Sequence, residues 1–176
     1  MIDTSHKIFN INDELIHDVI HDNKKLVVCY GHFNVIHPGH MRYLKYARSL
    51  GGRLIVALQD DAGLGVEASN YYTEYERAEG VSLLHLVDSV VIVENGKLDD
   101  FIKIIKPNIL VLGSEHENER NEKVESAILI LEKLKGKVIY HAGETHYGNT
   151  DLLHSGIDDL EREKISLFKK ACGNQN

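Results

Sequence analysis

Five short runs rich in Val, Ile and Leu recur along the chain, at Leu26–Tyr30, Leu54–Leu58, Ser89–Val93, Ile109–Leu112 and Lys137–Tyr140. Between them the apolar residues change to helical spacing: Met41, Leu44, Ala47 and Arg48 after the first run, then Val81, Leu84 and His85, then Phe101, Ile104 and Ile105, then Val124, Ile128, Leu131 and Leu134. Continuous apolar runs are strands buried on both faces, and a helix between each pair imposes parallel pairing through right-handed crossovers. The pattern predicts an α/β, Rossmann-like three-layer domain with a five-stranded parallel sheet. In such sheets ligands collect beyond the carboxyl ends of the strands, where the strand order reverses, so the first strand-helix turn becomes the place to look for a site.

With 176 residues there is material for one such domain and little more. The boundaries expected are 1–24 for an N-terminal helical flank, 25–154 for the α/β domain and 155–176 for a C-terminal helix and tail. In the first flank, Leu15, Ile16, Val19 and Ile20 form a stripe behind Asn12 as N-cap. The last helix has Asp158 and Asp159 in its first turn and Lys169 and Lys170 in its last, matching the helix dipole. Twenty-seven acidic residues against 20 basic ones leave a net charge of −7, which argues against nucleic acid or an anionic membrane as partner. Two cysteines, Cys29 in an apolar run and Cys172 near the end, fit a reduced compartment, and the cytoplasm is expected. No apolar run approaches a membrane-spanning length.

The turn itself reads Tyr30-Gly31-His32-Phe33-Asn34-Val35-Ile36-His37-Pro38-Gly39-His40. Gly31 lets backbone approach a ligand, Pro38 suits a first helical turn, and Gly39 leaves room where a side chain would crowd a phosphate. A helix start attracts anions, and His37 and His40, three apart, lie on neighbouring positions of one face. This combination predicts a polyphosphate site. Two histidines three apart without a third ligand at convincing spacing do not predict zinc.

The stretch resembles the G-x-F-D-x-x-H-x-G-H signature of the cytidylyltransferase-like nucleotidyltransferases, through Gly31, Phe33, His37, Gly39 and His40. The continuation from Tyr43 to Ala57 is similar to the adenylyltransferase part of ADP-heptose synthases and to glycerol-3-phosphate cytidylyltransferases. The likeness runs from about Lys25 to Leu153 and includes Asp61 after the second strand run, the pair Glu76-Arg77, and Pro107 to Gly113. It implies transfer of a CMP or AMP group from a nucleoside triphosphate, with Mg²⁺, to a small phosphorylated acceptor such as a sugar or polyol phosphate. Pyrophosphate would leave, and cytidylyl is marginally ahead of adenylyl. It also implies a homodimer, since many relatives are dimers. His37 and His40 would be catalytic, and Gly31, His32, Phe33, Asn34, Gly39, Arg77, Gly113, Glu115 and Thr150 would bind nucleotide. Asp61 and Tyr72 would face the acceptor.

The departures from the signature lie in the same places. Asn34 replaces an aspartate, no Lys or Arg lies between Arg53 and Arg77, and Leu112 stands where heptose-type relatives have lysine. The late R-T-x-G-x-S-T-T element is reduced to Thr145-His146-Tyr147-Gly148-Asn149-Thr150-Asp151 and has lost its arginine. Two rival readings follow: a domain that keeps the pocket without turnover and serves as nucleotide sensor or scaffold, and one half of a bifunctional kinase-nucleotidyltransferase. Tyr71, Tyr72 and Tyr75 serve equally as stacking groups or as packing, His116 as a nucleotide contact or a solvated loop residue, and Cys29 as core.

Overall fold

The computed structural model describes residues 4–14, 16, 24–63, 72–94, 97–113, 115–118 and 122–140. All of these fall in one compact unit, Met1–Glu144. The tail helix expected at 155–176 and Thr150 lie outside the described residues.

Six strands form one parallel sheet: β1 (Ile8–Asn10), β2 (Leu26–Gly31), β3 (Arg53–Gln59), β4 (Ser89–Val93), β5 (Ile109–Leu112) and β6 (Lys137–Tyr140), in the order β1-β4-β3-β2-β5-β6. Five coincide with the apolar runs, so the expected count of five is corrected to six by β1. This strand is only three residues long and follows the polar segment Ser5–Lys7, so it leaves no periodic signal. It closes the β4 edge through the register Ile8↔Val90, Phe9↔Val91 and Asn10↔Ile92. The N-terminal flank is therefore partly sheet. The Asn12 amide donates to Glu94 and Asp13 accepts from the Asn10 N–H, while most of the helix expected behind Asn12 lies outside the described residues. Ile16, from the expected apolar stripe, is buried.

Helices α1 (Pro38–Ser49), α2 (Glu74–Ser82), α3 (Leu98–Ile105), α4 (Glu115–Asn118) and α5 (Glu122–Lys133) join the strands. Alternation along each strand sorts the core into two layers. Val28, Ile55, Ala57, Val91, Leu110 and Leu112 face α3 and α5, which contribute Phe101, Ile102, Ile105, Val124 and Leu131. Val27, Cys29, Val56, Leu58, Val90 and Val111 face α1 and α2, which contribute Tyr43, Leu44, Ala47, Ala78 and Val81. Cys29 is a core residue, its thiol pushed up to about 12 by burial. Helix α2 stops at Ser82, so Leu84 and His85 of the expected stripe lie beyond it, as Leu134 lies beyond α5. Among the described residues no helix is long and apolar enough to cross a membrane.

From β2 the chain moves through β3 to β4 on one side, then crosses to β5 and β6 on the other. The strand order thus reverses between β2 and β5, and the crevice beyond their carboxyl ends is bounded by the β2–α1 turn and by Gly113 after β5. Tyr43 ties the two sides together. Its hydroxyl donates to Val111 O of β5 at 2.5 Å and lies 3.3 Å from Tyr30 O of β2.

Candidate active site

The β2–α1 turn is held by burial of one aromatic ring. Phe33 is 2% exposed although its φ is +51°, a left-handed conformation that a bulky residue adopts only when its surroundings enforce it. Its ring packs against His40, with centroids 4.8 Å apart, and against Tyr43. A Cβ on Gly31 would stand 3.2 Å from that ring, so the glycine preserves the seat of Phe33. Turning the chain inward at Phe33 leaves His32 exposed on the rim.

His37 is the N-cap of α1, with Pro38 at N1. Its Nδ1 accepts from the Gly39 N–H at 3.0 Å. That bond makes Nδ1 the acceptor and places the proton of the neutral ring on Nε2, which is then the atom able to donate to a ligand. Burial first, and then the charge of Arg42, hold His37 below the usual imidazole range. Protonation would also turn Nδ1 into a donor facing the Gly39 N–H, in opposition to the cap. Arg42 was not singled out from the sequence, because it lies off the His37–His40 face, yet its charge bears on His37.

The His40 ring lies 4.1 Å from that of His37, and its Nδ1 is shut off from solvent without a well-formed hydrogen bond. Burial, followed by the charges of His37 and His32, lowers its pKa to about 4, against an opposing backbone hydrogen bond at Val35. In the free protein at neutral pH both helix-start histidines are therefore uncharged. An arriving phosphate would reverse the balance, since anionic oxygens favour the protonated rings.

This arrangement has a consequence for stability. Between pH 6.5 and about 4 an unfolded chain carries a proton on His40 that the folded chain lacks, so stability falls as the pH drops through that window and is intact above it. From about pH 7.5 to about pH 5 the loss attributable to this one group is about 2 kcal/mol. Denaturant titration of the wild type and of His40→Gln at the two pH values isolates it. The substituted protein should lose less stability by that amount, and an equal loss in both proteins would show that His40 titrates normally.

Arg77 occupies a different position from the one its place in the sequence suggested. Its side chain is fully buried, Nη1 donates to His32 O and Nη2 pairs with Asp61 Oδ1 at 2.8 Å, while Nε finds no partner. A guanidinium engaged in this way holds the backbone of the turn at His32 and the Asp61 carboxylate together. Asp61 is half-buried at the end of β3, and its N–H donates to the Glu74 carboxylate. Glu76, the other member of the Glu-Arg pair, closes a capping box with Thr73 at the start of α2. Asn34 Oδ1 is buried without a partner in the turn.

Across the crevice, Gly113 follows β5 and His116 lies in α4, its ring 6.2 Å from that of Tyr30. Glu115 belongs to the same short helix. Tyr72 and Tyr75 are half or more exposed beside the start of α2, as free surface rather than core. The structure thus brings Gly31, His32, Phe33, Asn34, His37, Gly39 and His40 into one turn, sets Gly113 after β5 and Glu115 at the start of α4 across the crevice, and joins Asp61 to the turn through Arg77.

Residues 28–166 match the Cytidylyltransferase-like family. The chain is similar to the bifunctional protein HldE of Campylobacter jejuni subsp. jejuni serotype O:2, 36% identical over 61% of this chain and 24% of that protein. It is 32% identical to the bifunctional protein HldE of Nitratiruptor sp., over 70% of this chain and 28% of that one. The chain therefore spans about a quarter of the length of these relatives. Among solved structures, a lipopolysaccharide core biosynthesis protein from Thermoplasma volcanium shares the fold with a TM-score of 0.59 and 24% identity, over 68% of this chain and 98% of that one. A pantoate-beta-alanine ligase from Francisella tularensis shares it at 0.50 and 15% identity, over 76% of this chain and 66% of that one. The glycine-and-histidine turn at the head of α1, the reversal of strand order beside it and the match over most of the chain agree: this protein belongs to the cytidylyltransferase-like family of nucleotidyltransferases.

Proposed function

We propose that the chain transfers a CMP or AMP group from CTP or ATP to a small phosphorylated acceptor, a sugar phosphate or polyol phosphate, with release of pyrophosphate. The observation that carries this reading is the close, tilted pair of rings His37 and His40 at the start of α1, with a buried Nδ1 on His40 that lacks a well-formed hydrogen bond, at the point where the strand order reverses. In-line attack on an α-phosphoryl group needs no covalent intermediate on the protein; it needs positioned donors for the charge that develops on the phosphate oxygens. His37 Nε2–H and the His40 ring are such donors, and each becomes stronger as the phosphates draw it toward the protonated form. The acceptor's phosphate supplies the nucleophilic oxygen and pyrophosphate takes the bond electrons as it leaves. Asp61 and Tyr72 are assigned to the acceptor side.

Mg²⁺ fits this donor set as a companion of the triphosphate. Histidine nitrogens are poor ligands for a hard cation, and Asp61 is engaged by Arg77, so phosphate oxygens, water and the Asn34 carbonyl are the oxygens at hand. Bound there, the ion would neutralise part of the phosphate charge. A homodimer in the cytoplasm belongs to the same reading, and sedimentation tests its first part.

The relatives are bifunctional proteins and the chain spans about a quarter of each, which favours as a second reading that this domain works beside a kinase-like partner. Pyrophosphate release measured with ATP and with CTP against a panel of phosphorylated acceptors tests the proposal. One donor should turn over with one acceptor class. Nucleotide binding without turnover on any acceptor would leave the sensor or scaffold role, and absence of binding by either nucleotide would remove both.

A further inference from the structure

We infer that Arg77 is a positioning residue that locks the nucleotide turn to the end of β3, so that the two halves of the site move as one piece; the inference rests on the function proposed above only in what the turn is for. Three observations support it. The side chain is fully buried, so its guanidinium is not presented at the surface for direct contact with a ligand. Its two terminal nitrogens are divided between two different segments, His32 O in the turn after β2 and Asp61 Oδ1 after β3. The clamped carbonyl belongs to the residue immediately before Phe33, whose left-handed φ needs external support.

The helix carrying Arg77 is itself fixed to the same place. Glu74, in the first turn of α2, accepts from the Asp61 N–H at 3.0 Å, so Asp61 is gripped by both its backbone and its carboxylate. A planar guanidinium with separate Nη donors can bridge a carbonyl and a carboxylate lying in different directions, whereas a single ammonium on a flexible stem cannot hold both in fixed geometry. That difference separates a positioning role from a phosphate contact, where charge matters more than shape. It also accounts for a chain with no Lys or Arg between Arg53 and Arg77 retaining an arginine here.

The test uses the full chain with Arg77→Lys, Arg77→Gln and Asp61→Asn. The imidazole proton signals of His37 and His40 are recorded by NMR without nucleotide, and ATP and CTP binding is then measured by calorimetry. Positioning predicts displaced ring signals in both Arg77 variants, and nucleotide binding weakened about tenfold or more in both, with lysine rescuing little. Asp61→Asn, which removes no cation, should displace the same signals to a smaller extent, and it stands in if Arg77→Gln fails to fold. Unmoved ring signals in the folded variants, or near wild-type affinity in Arg77→Lys, would overturn the inference. If the wild type binds neither nucleotide, the proposed function fails, while the ring signals of the free protein still decide the role of Arg77.

Discussion

Replacing His40 by alanine should lower pyrophosphate release by about 10²–10³, the usual cost of one lost donor to a developing oxyanion. The nucleotide should bind more weakly by only about 1–3 kcal/mol, the scale of a lost charge-assisted hydrogen bond. The asymmetry follows from the site. His40 is neutral in the free protein, with its pKa lowered to about 4, and its ring lies against that of His37, so it gains most when phosphate charge is greatest. Paired calorimetry and pyrophosphate release on the wild type and His40→Ala measure both quantities. An active wild type whose turnover survives the substitution would remove His40 from the mechanism and, with it, the main ground for this reaction class. Equal losses in turnover and affinity would mean that His40 binds the ground state and the transition state alike.

The strands were legible because a parallel sheet covered on both faces demands unbroken apolar runs, and Val27 to Cys29 or Val90 to Ile92 meet that demand with no polar interruption. Strand β1 was not, since three residues carry no periodicity and only its pairing with Val90 to Ile92 defines it. The turn was legible for a different reason: glycine, proline and two histidines at fixed spacing have few uses at the end of a strand. The role of Arg77 was hidden because its partners, His32 O and Asp61, lie 45 and 16 residues away. Neither neighbouring acid on α2 is used to pair it: Glu74 accepts from the Asp61 N–H and Glu76 closes the helix cap. Arg42 was hidden by the helical wheel, which places it off the His37–His40 face although its charge still reaches His37.

Phe33→Ala should be the most damaging single change in the turn, costing about 3–5 kcal/mol of stability, the range for truncating a buried phenylalanine. Part of the normal stabilisation from this ring is offset by its left-handed backbone, so alanine, which has the same backbone restriction, loses the packing without relieving the strain. The consequence for the site is separate. The Phe33 ring forms one wall of the His40 environment, and burial is the largest cause of the low His40 pKa. With the wall removed, water reaches the imidazole and its pKa should rise from about 4 toward the ordinary 6.5. Denaturant unfolding reads the first effect, and a proton NMR titration of the His40 ring reads the second in whatever fraction stays folded. Phe33→Leu keeps an apolar wall, so it should retain more of the stability and most of the pKa depression. A His40 pKa unchanged in Phe33→Ala would show that the depression comes from His37 and His32 instead of burial, and that Phe33 supports the turn without tuning its chemistry.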